Sequence, residues 1–267
     1  MRQIISRDDL CTGRAEWNEH MILTEHLTKS YGGLMAVNDV NLNIPQGQFF
    51  AFLGPNGAGK TTTIKLLAGL LKPMSGRALI GGYDIQKDPV EARKILSYVP
   101  DMPFLYDKLE PMEFMLFVGQ LFGMDRAEVV RASDELFDVF GLDETRRQMI
   151  ENLSHGTRQR LVIASALLHQ PKVIIIDEPM VGLDPRSARV VKNVLKERSR
   201  AGVTVFLSTH VLHIAEELAD QVGILNRGRL IAVGTIDELR EVSGEKGELE
   251  DAFLALTRGE EAAAGLP

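Results

Sequence analysis

Two short stretches hold residue types that do chemistry together. The first, "GPNGAGKTT" (Gly54–Thr62), has the spacing G-x-x-x-x-G-K-[ST]. Gly54, Gly57 and Gly59, interleaved with Pro55, Asn56 and Ala58, let backbone N–H groups converge on phosphate oxygens without Cβ clashes. Lys60 is placed to reach the terminal phosphates, and the Thr61 hydroxyl to ligate Mg²⁺. Thr62 follows on a helix whose positive N-terminal end faces the same anion. The second stretch, "VIIIDEP" (Val173–Pro179), is an apolar run that ends in two acids. Asp177 suits Mg²⁺ coordination, direct or through water. Glu178, pointing differently, suits polarising a water aimed at the γ-phosphate. The plainer alternatives are an accidental glycine turn and a pair of turn-capping acids behind a core strand. A strand before the glycines ("QFFAFL", Gln48–Leu53) and a helix after them favour phosphate binding.

The elements that must position these residues are legible from apolar spacing. Strand signals dominate to residue 53, punctuated by Gly32-Gly33, Pro45 and Gly47. A helix is expected from Lys60 to Leu70, then a strand and turn in "GRALIGGYDI". Residues 108–170 change character: Glu110–Met124 and Asp125–Phe140 have helical periodicity, with Gly123 and Gly141 as stop signals. Beyond them strands and helices alternate: "KVIIID", Pro185–Ser199, "VTVFLST", Val211–Leu218, "QVGILN", "GRLIAVG". Such alternation implies a mostly parallel sheet covered by helices on both faces. The predicted fold is thus an α/β phosphate-loop core with an N-terminal antiparallel β region and an all-helical insert. The structured unit is expected over residues 21–245. A disordered extension is expected at 1–20, with Met21 as the true start or domain edge. A helix and a disordered tail ("GEEAAAGLP") fill 246–267. No internal repeat is visible.

The totals narrow the classes. A formal charge of −7 argues against a nucleic-acid binder, whose footprint is usually basic. One cysteine, Cys11, excludes an internal disulfide framework. No apolar run reaches the roughly 18–20 residues needed to span a bilayer, and the N-terminus has no apolar core of a secretory signal. Work at a membrane would need another chain to do the spanning.

Together with "LSHGTRQR" (Leu153–Arg160), "GLDP" (Gly182–Pro185) and "STH" (Ser208–His210), the two opening motifs stand in the order and spacing of ABC-type ATPases. From residue 21 to about 240 the chain resembles that family. The resemblance implies an ATP- and Mg²⁺-dependent hydrolase acting as a head-to-tail dimer, homomeric or with a related subunit. It places Tyr31 against adenine, Asp184 at the dimer crossing, and His210 on the γ-phosphate. It also makes "LSHGT" the counterpart of the signature loop Leu-Ser-Gly-Gly-Gln. There Ser154 and Gly156 match, while His155 and Thr157 depart. Ser154 caps the following helix, whose N–H groups would meet the γ-phosphate held by the other subunit.

A third acid stands in "SYVPDMPFLY" (Ser97–Tyr106), where Asp101 replaces the family's usual glutamine beside Mg²⁺ and the attacking water. Its extra charge could strengthen the metal contact, repel the triphosphate, or simply cap a turn. The neighbouring "FMLFVGQLFGM" (Phe114–Met124) reads mainly as subdomain core, with an exposed remainder suited to a helix of a membrane subunit. The wording is most like bacterial export systems with separate membrane permease chains, which would hold the protein at the cytoplasmic membrane face. The contrasting class is a soluble ABC ATPase that remodels complexes without transport.

Overall fold

The computed structural model describes residues 20–102, 104–243 and 249–263. The extension expected at 1–20 lies outside them, apart from His20, which opens the first strand. The N-terminal part forms β1 (His20–Tyr31), β2 (Leu34–Pro45) and β3 (Phe49–Leu53), followed by α1 (Lys60–Leu67), β4 (Ser75–Ile80), β5 (Tyr83–Asp84), α2 (Pro89–Lys94) and β6 (Leu96–Val99). Helices α3 (Pro111–Leu121), α4 (Arg126–Phe140) and α5 (His155–Leu167) come next. They lead to β7 (Val173–Asp177), α6 (Pro185–Arg200), β8 (Thr204–Thr209), α7 (Leu212–Leu218), β9 (Gln221–Asn226), β10 (Arg229–Gly234), α8 (Ile236–Ser243) and α9 (Leu249–Ala263).

Two sheets result. One is antiparallel, in the order β2-β1-β4-β5; the other has the order β10-β9-β3-β8-β7-β6 and is parallel except for the β10 edge. Alternation along β7 shows why the parallel sheet must be covered twice. Val173 and Ile175 pack with Phe206, Ile64 and Leu66 on the side of α1 and the antiparallel sheet. Ile174 and Ile176 pack with Phe137, Phe140 and Val205 under the helical region. All four are buried, each stabilising the fold by about 1.5–3 kcal/mol.

Local chemistry sets the helix ends. Asp125 and Glu128 exchange reciprocal hydrogen bonds of 2.8 and 3.0 Å at the start of α4, and Gly141 closes it at φ 62. At α6 the Asp184 carboxylate accepts from the N–H groups of Arg186 (2.9 Å) and Ser187 (3.0 Å), with Pro185 in the first turn.

Two expectations are corrected. Helix α1 stops at Leu67 rather than Leu70, because Gly69 turns to φ 68 and seats its Cα against Ile85. At the other end, α9 continues through Gly259 to Ala263, where no structure was expected; Glu260–Ala263 are good helix formers that extend a helix already running. The last four residues lie outside the described set. Helix α2 and strand β6, too short to show periodicity, carried no clear sequence signal.

Candidate active site

Register brings the chemistry together. In the parallel sheet Leu53 pairs with Thr209, and Asp177 pairs with Ser208. The chain therefore leaves β3, β7 and β8 at one edge, placing the glycine loop, Glu178 and His210 side by side. Ligands in open α/β sheets bind at this carboxyl end of the strands.

A cavity of about 570 Å³ opens there, lined by Asn56, Gly57, Gly59, Lys60, Thr61, Thr62, Asp101, Asp177 and Glu178. Leu34, Met35, Ala36 and Arg227 complete its wall. Those four were not singled out from the sequence, and their only local sign was the "RG" turn at Arg227-Gly228.

The glycines divide their work differently from the expectation that all three clear space for phosphate. Gly57 needs its φ of 80, and a Cβ there would meet nothing. A Cβ on Gly54 would sit 2.4 Å from the Leu225 carbonyl oxygen, and one on Gly59 2.1 Å from that of Ala36. Gly54 and Gly59 are thus demanded by neighbouring backbone, which clamps the loop between β9 and β2. The Lys60 ammonium donates to the carbonyls of Gly54 (2.7 Å) and Pro55 (3.2 Å), so its charge is held along the loop. Burial pushes its pKa below the usual lysine range, opposed by the charges of Glu178 and Asp177.

Asp177 is 1% exposed. Its Oδ2 accepts from the Thr61 hydroxyl at 2.8 Å, while its Oδ1 is buried without a hydrogen-bond partner among the described residues. Burial raises its pKa, offset in part by the Thr61 hydrogen bond and reinforced by the charges of Asp101 and Glu178. An orphaned carboxylate oxygen beside a hydroxyl is the donor set a small hard cation takes when substrate phosphates supply the other ligands. Among the described residues no cluster of three or more His, Cys, Asp or Glu forms an all-protein metal cage.

Glu178 adopts φ 48, a left-handed conformation uncommon outside glycine. Its N–H donates to the Ser208 carbonyl at 3.0 Å. Its Oε2 accepts from the Thr209 hydroxyl at 3.1 Å, and its Oε1 lies 2.8 Å from His210 Nδ1. The strained backbone and three tethers hold one carboxylate at the cavity edge. Asp101 lines the same cavity and accepts from the Met102 N–H at 2.8 Å, so it both caps its own turn and faces the acids.

The other candidate residues lie elsewhere. Tyr31 ends β1 opposite Leu34; the residue is 47% exposed, with Lys29 Nζ 5.5 Å from the ring centroid. Ser154 caps α5 by accepting from the Thr157 N–H at 3.2 Å. The Thr157 hydroxyl turns inward to Ser154 (2.8 Å) and Arg160 (3.3 Å). The loop carrying Ser154 and Gly156 packs on the loop carrying Asp184: Leu183 lies on Gly156, and the His155 ring covers Gly182, whose φ is 76. Within the chain a methyl group fits at Gly156, where the nearest atom would be 3.6 Å away.

A glycine loop between strand and helix, facing a buried acid at the end of a parallel strand, defines a P-loop nucleoside triphosphatase. The ABC transporter sequence profile matches residues 37–181, more than half of the chain. The chain belongs to that family and is an ATP-binding ATPase of it. Similar proteins include the linearmycin resistance ATP-binding protein LnrL of Bacillus subtilis, 36% identical over 82% of this chain and 70% of its own length. The daunorubicin/doxorubicin resistance ATP-binding protein DrrA of Streptomyces peucetius is 39% identical over 84% and 68%. Among solved structures, an ATP-binding subunit of an ABC transporter superposes with a TM-score of 0.84 at 33% identity, covering 89% of this chain and 99% of that one. A dimeric ATP-binding cassette bound to ADP and phosphate matches with a TM-score of 0.73 at 27% identity, covering 80% and 98%.

Proposed function

We propose that this chain is the ATP-hydrolysing subunit of an export system, coupled to a separate membrane permease at the cytoplasmic face of the membrane. The observation that carries the reading is the meeting of Lys60, Thr61, Asp177 and Glu178 at one cavity, with His210 hydrogen-bonded to Glu178. Its setting among drug-resistance relatives favours export over a soluble remodelling role. Residues 21–245 form the ATPase unit, and 108–170, holding α3, α4 and α5, its helical subdomain.

In this reading the loop Gly54–Thr62 wraps the phosphates and Tyr31 stacks on adenine. Thr61 and Asp177 hold Mg²⁺, with Asp101 near it. When bound, Mg²⁺ supplies neutralisation of the phosphate charge. Lys60 binds the terminal phosphates. Glu178 orients and polarises the attacking water, while His210 fixes that carboxylate and contacts the γ-phosphate. Ser154, Gly156 and Asp184 complete the site of a second subunit in a head-to-tail dimer, with Ser154 and the α5 N-terminus presenting donors to its γ-phosphate.

Met102, Phe104, Tyr106 and Phe117 supply a docking surface for the permease. The first two are 76% and 78% exposed, and the Tyr106 ring lies 5.3 Å from Phe117 and 6.2 Å from Phe104. No described helix is long and apolar enough to cross a membrane. The test is reconstitution with the permease in liposomes, where ATPase activity should rise when a transported drug is added. A chain that hydrolyses ATP but never co-purifies with a membrane subunit would overturn the export reading.

A further inference from the structure

The turn joining β9 to β10 has two residues, Arg227 and Gly228, between the paired Asn226 and Arg229. Both have positive φ, 47 and 79, as the favoured two-residue hairpin turn requires. Its first position favours Asn, Asp or Gly; an arginine there carries backbone strain. The turn is also locked in place. Gly228 donates its N–H to the Ala58 carbonyl of the phosphate loop at 2.8 Å, and its own carbonyl accepts from the Asn38 N–H at 2.7 Å. A Cβ on Gly228 would stand 3.0 Å from the Ala36 carbonyl oxygen. Arg227 is thereby carried on a rigid mount, with its neighbour Gly228 seated against Met35 and Ala36, in the wall of the same cavity as Lys60 and Thr61.

The charge pattern of that wall gives the mount a purpose. Three carboxylates, Asp101, Asp177 and Glu178, face two cations, Lys60 and Arg227. A polyphosphate entering it adds several negative charges, and the Lys60 ammonium already serves two loop carbonyls. A planar guanidinium with its fork of donors is the group best shaped to bind a phosphate edge.

We propose that Arg227 is a nucleotide-recognition residue, which reaches the phosphate chain of the bound nucleotide from the Met35–Ala36 side of the cavity. It rests on the nucleotide reading of that cavity. Arg227 contributes to affinity rather than to bond cleavage, because the acid that handles water, Glu178, is held by Thr209 and His210.

The test is Arg227→Gly, which suits the turn better than arginine and so keeps the fold. Titration of the full chain with ATP and with ADP should show about tenfold weaker binding of both, the size of a lost charge-assisted hydrogen bond. The melting temperature without nucleotide should stay the same or rise. KM should increase by the same factor with kcat within about twofold, and Arg227→Lys should recover part of the affinity. Wild-type affinity in Arg227→Gly would overturn the proposal. Lys60→Ala separates the two readings. If it loses ATP binding while Arg227→Gly does not, only the role of Arg227 falls. If the wild-type chain binds no ATP, the site reading falls with it.

Discussion

Glu178 and His210 stand 32 residues apart in the chain and 2.8 Å apart in space, carboxylate oxygen to ring nitrogen. The pair forms because β7 and β8 are parallel neighbours ending at the same edge, with Asp177 paired to Ser208. The bond ties the candidate water-polarising acid, at the end of β7, to the end of β8, the sheet neighbour of the strand that leads into the phosphate loop.

Glu178→Gln keeps the side-chain shape and can keep the hydrogen bonds to Thr209 and His210, but removes the base. ATP should still bind, phosphate release should fall by at least about 100-fold, and a nucleotide-bound dimer should persist on gel filtration. Near wild-type turnover would remove Glu178 from its proposed role.

Burial and, less strongly, the charge of Asp101 raise the pKa of Asp177, so Asp101 bears on that acid electrostatically while capping its own turn. Asp101→Gln should therefore need more Mg²⁺ for half-maximal hydrolysis and bind Mg²⁺-free ATP more tightly. Each shift should be on the order of fivefold, as for one unit charge in a partly solvated site. If both titrations match the wild type, Asp101 is a turn residue only.

Burial holds the Asp177 carboxyl above its ordinary range, so the folded state binds its proton more readily than the unfolded chain does. Stability from this group consequently falls as pH rises from the ordinary aspartate range through the raised value. Asp177→Asn should melt higher at neutral pH, by about 2–4 °C for each kcal/mol relieved. It should also lose the stabilisation that Mg²⁺–ATP confers on the wild type. A lower melting temperature in the absence of nucleotide would contradict this account of Asp177.

The His155 ring lies where a Gly182 side chain would go, 2.7–2.8 Å from the nearest ring atoms, and Gly182 is left-handed. Gly182→Ala should cost about 1–3 kcal/mol through collision and backbone strain. Adding His155→Ala should restore the collision part, giving a coupling of at least about 0.5 kcal/mol in a denaturant double-mutant cycle. Strictly additive effects would show that the two loops do not communicate through this contact.

His169 stacks on Phe122, with ring centroids 3.6 Å apart and planes 8° from parallel. Burial pushes its pKa down to about 4. Because the unfolded chain protonates near the ordinary value of about 6.5, stability from this group is complete above that pH. It is lost as pH falls toward 4. His169→Phe retains the stack without the titration, and its melting temperature should vary less than the wild type's between pH 6.5 and 4. An unchanged pH profile would assign the acid sensitivity to other groups.

Much of this protein was readable from its residues alone, because the readable parts are local. Glycine spacing, a strand ending in two acids, a serine three residues before its helix partner, and alternating apolar runs each report chemistry confined to a few neighbours. What stayed illegible depends on contacts across the sheet. Gly54 and Gly59 are glycines because Leu225 and Ala36 press on them, and no local pattern names those partners. Arg227 reads as an ordinary turn residue until Gly228 is seen bonded to Ala58 and Asn38. Asp101 reads as either a turn cap or a site residue; in the fold it accepts from the Met102 N–H and lines the cavity that holds Asp177 and Glu178. The sequence by itself determined which chemical groups are present and the order in which they follow one another. Strand register decided which of them meet, because a parallel sheet gathers distant strand ends at one edge and side-chain spacing along the chain carries no record of that gathering.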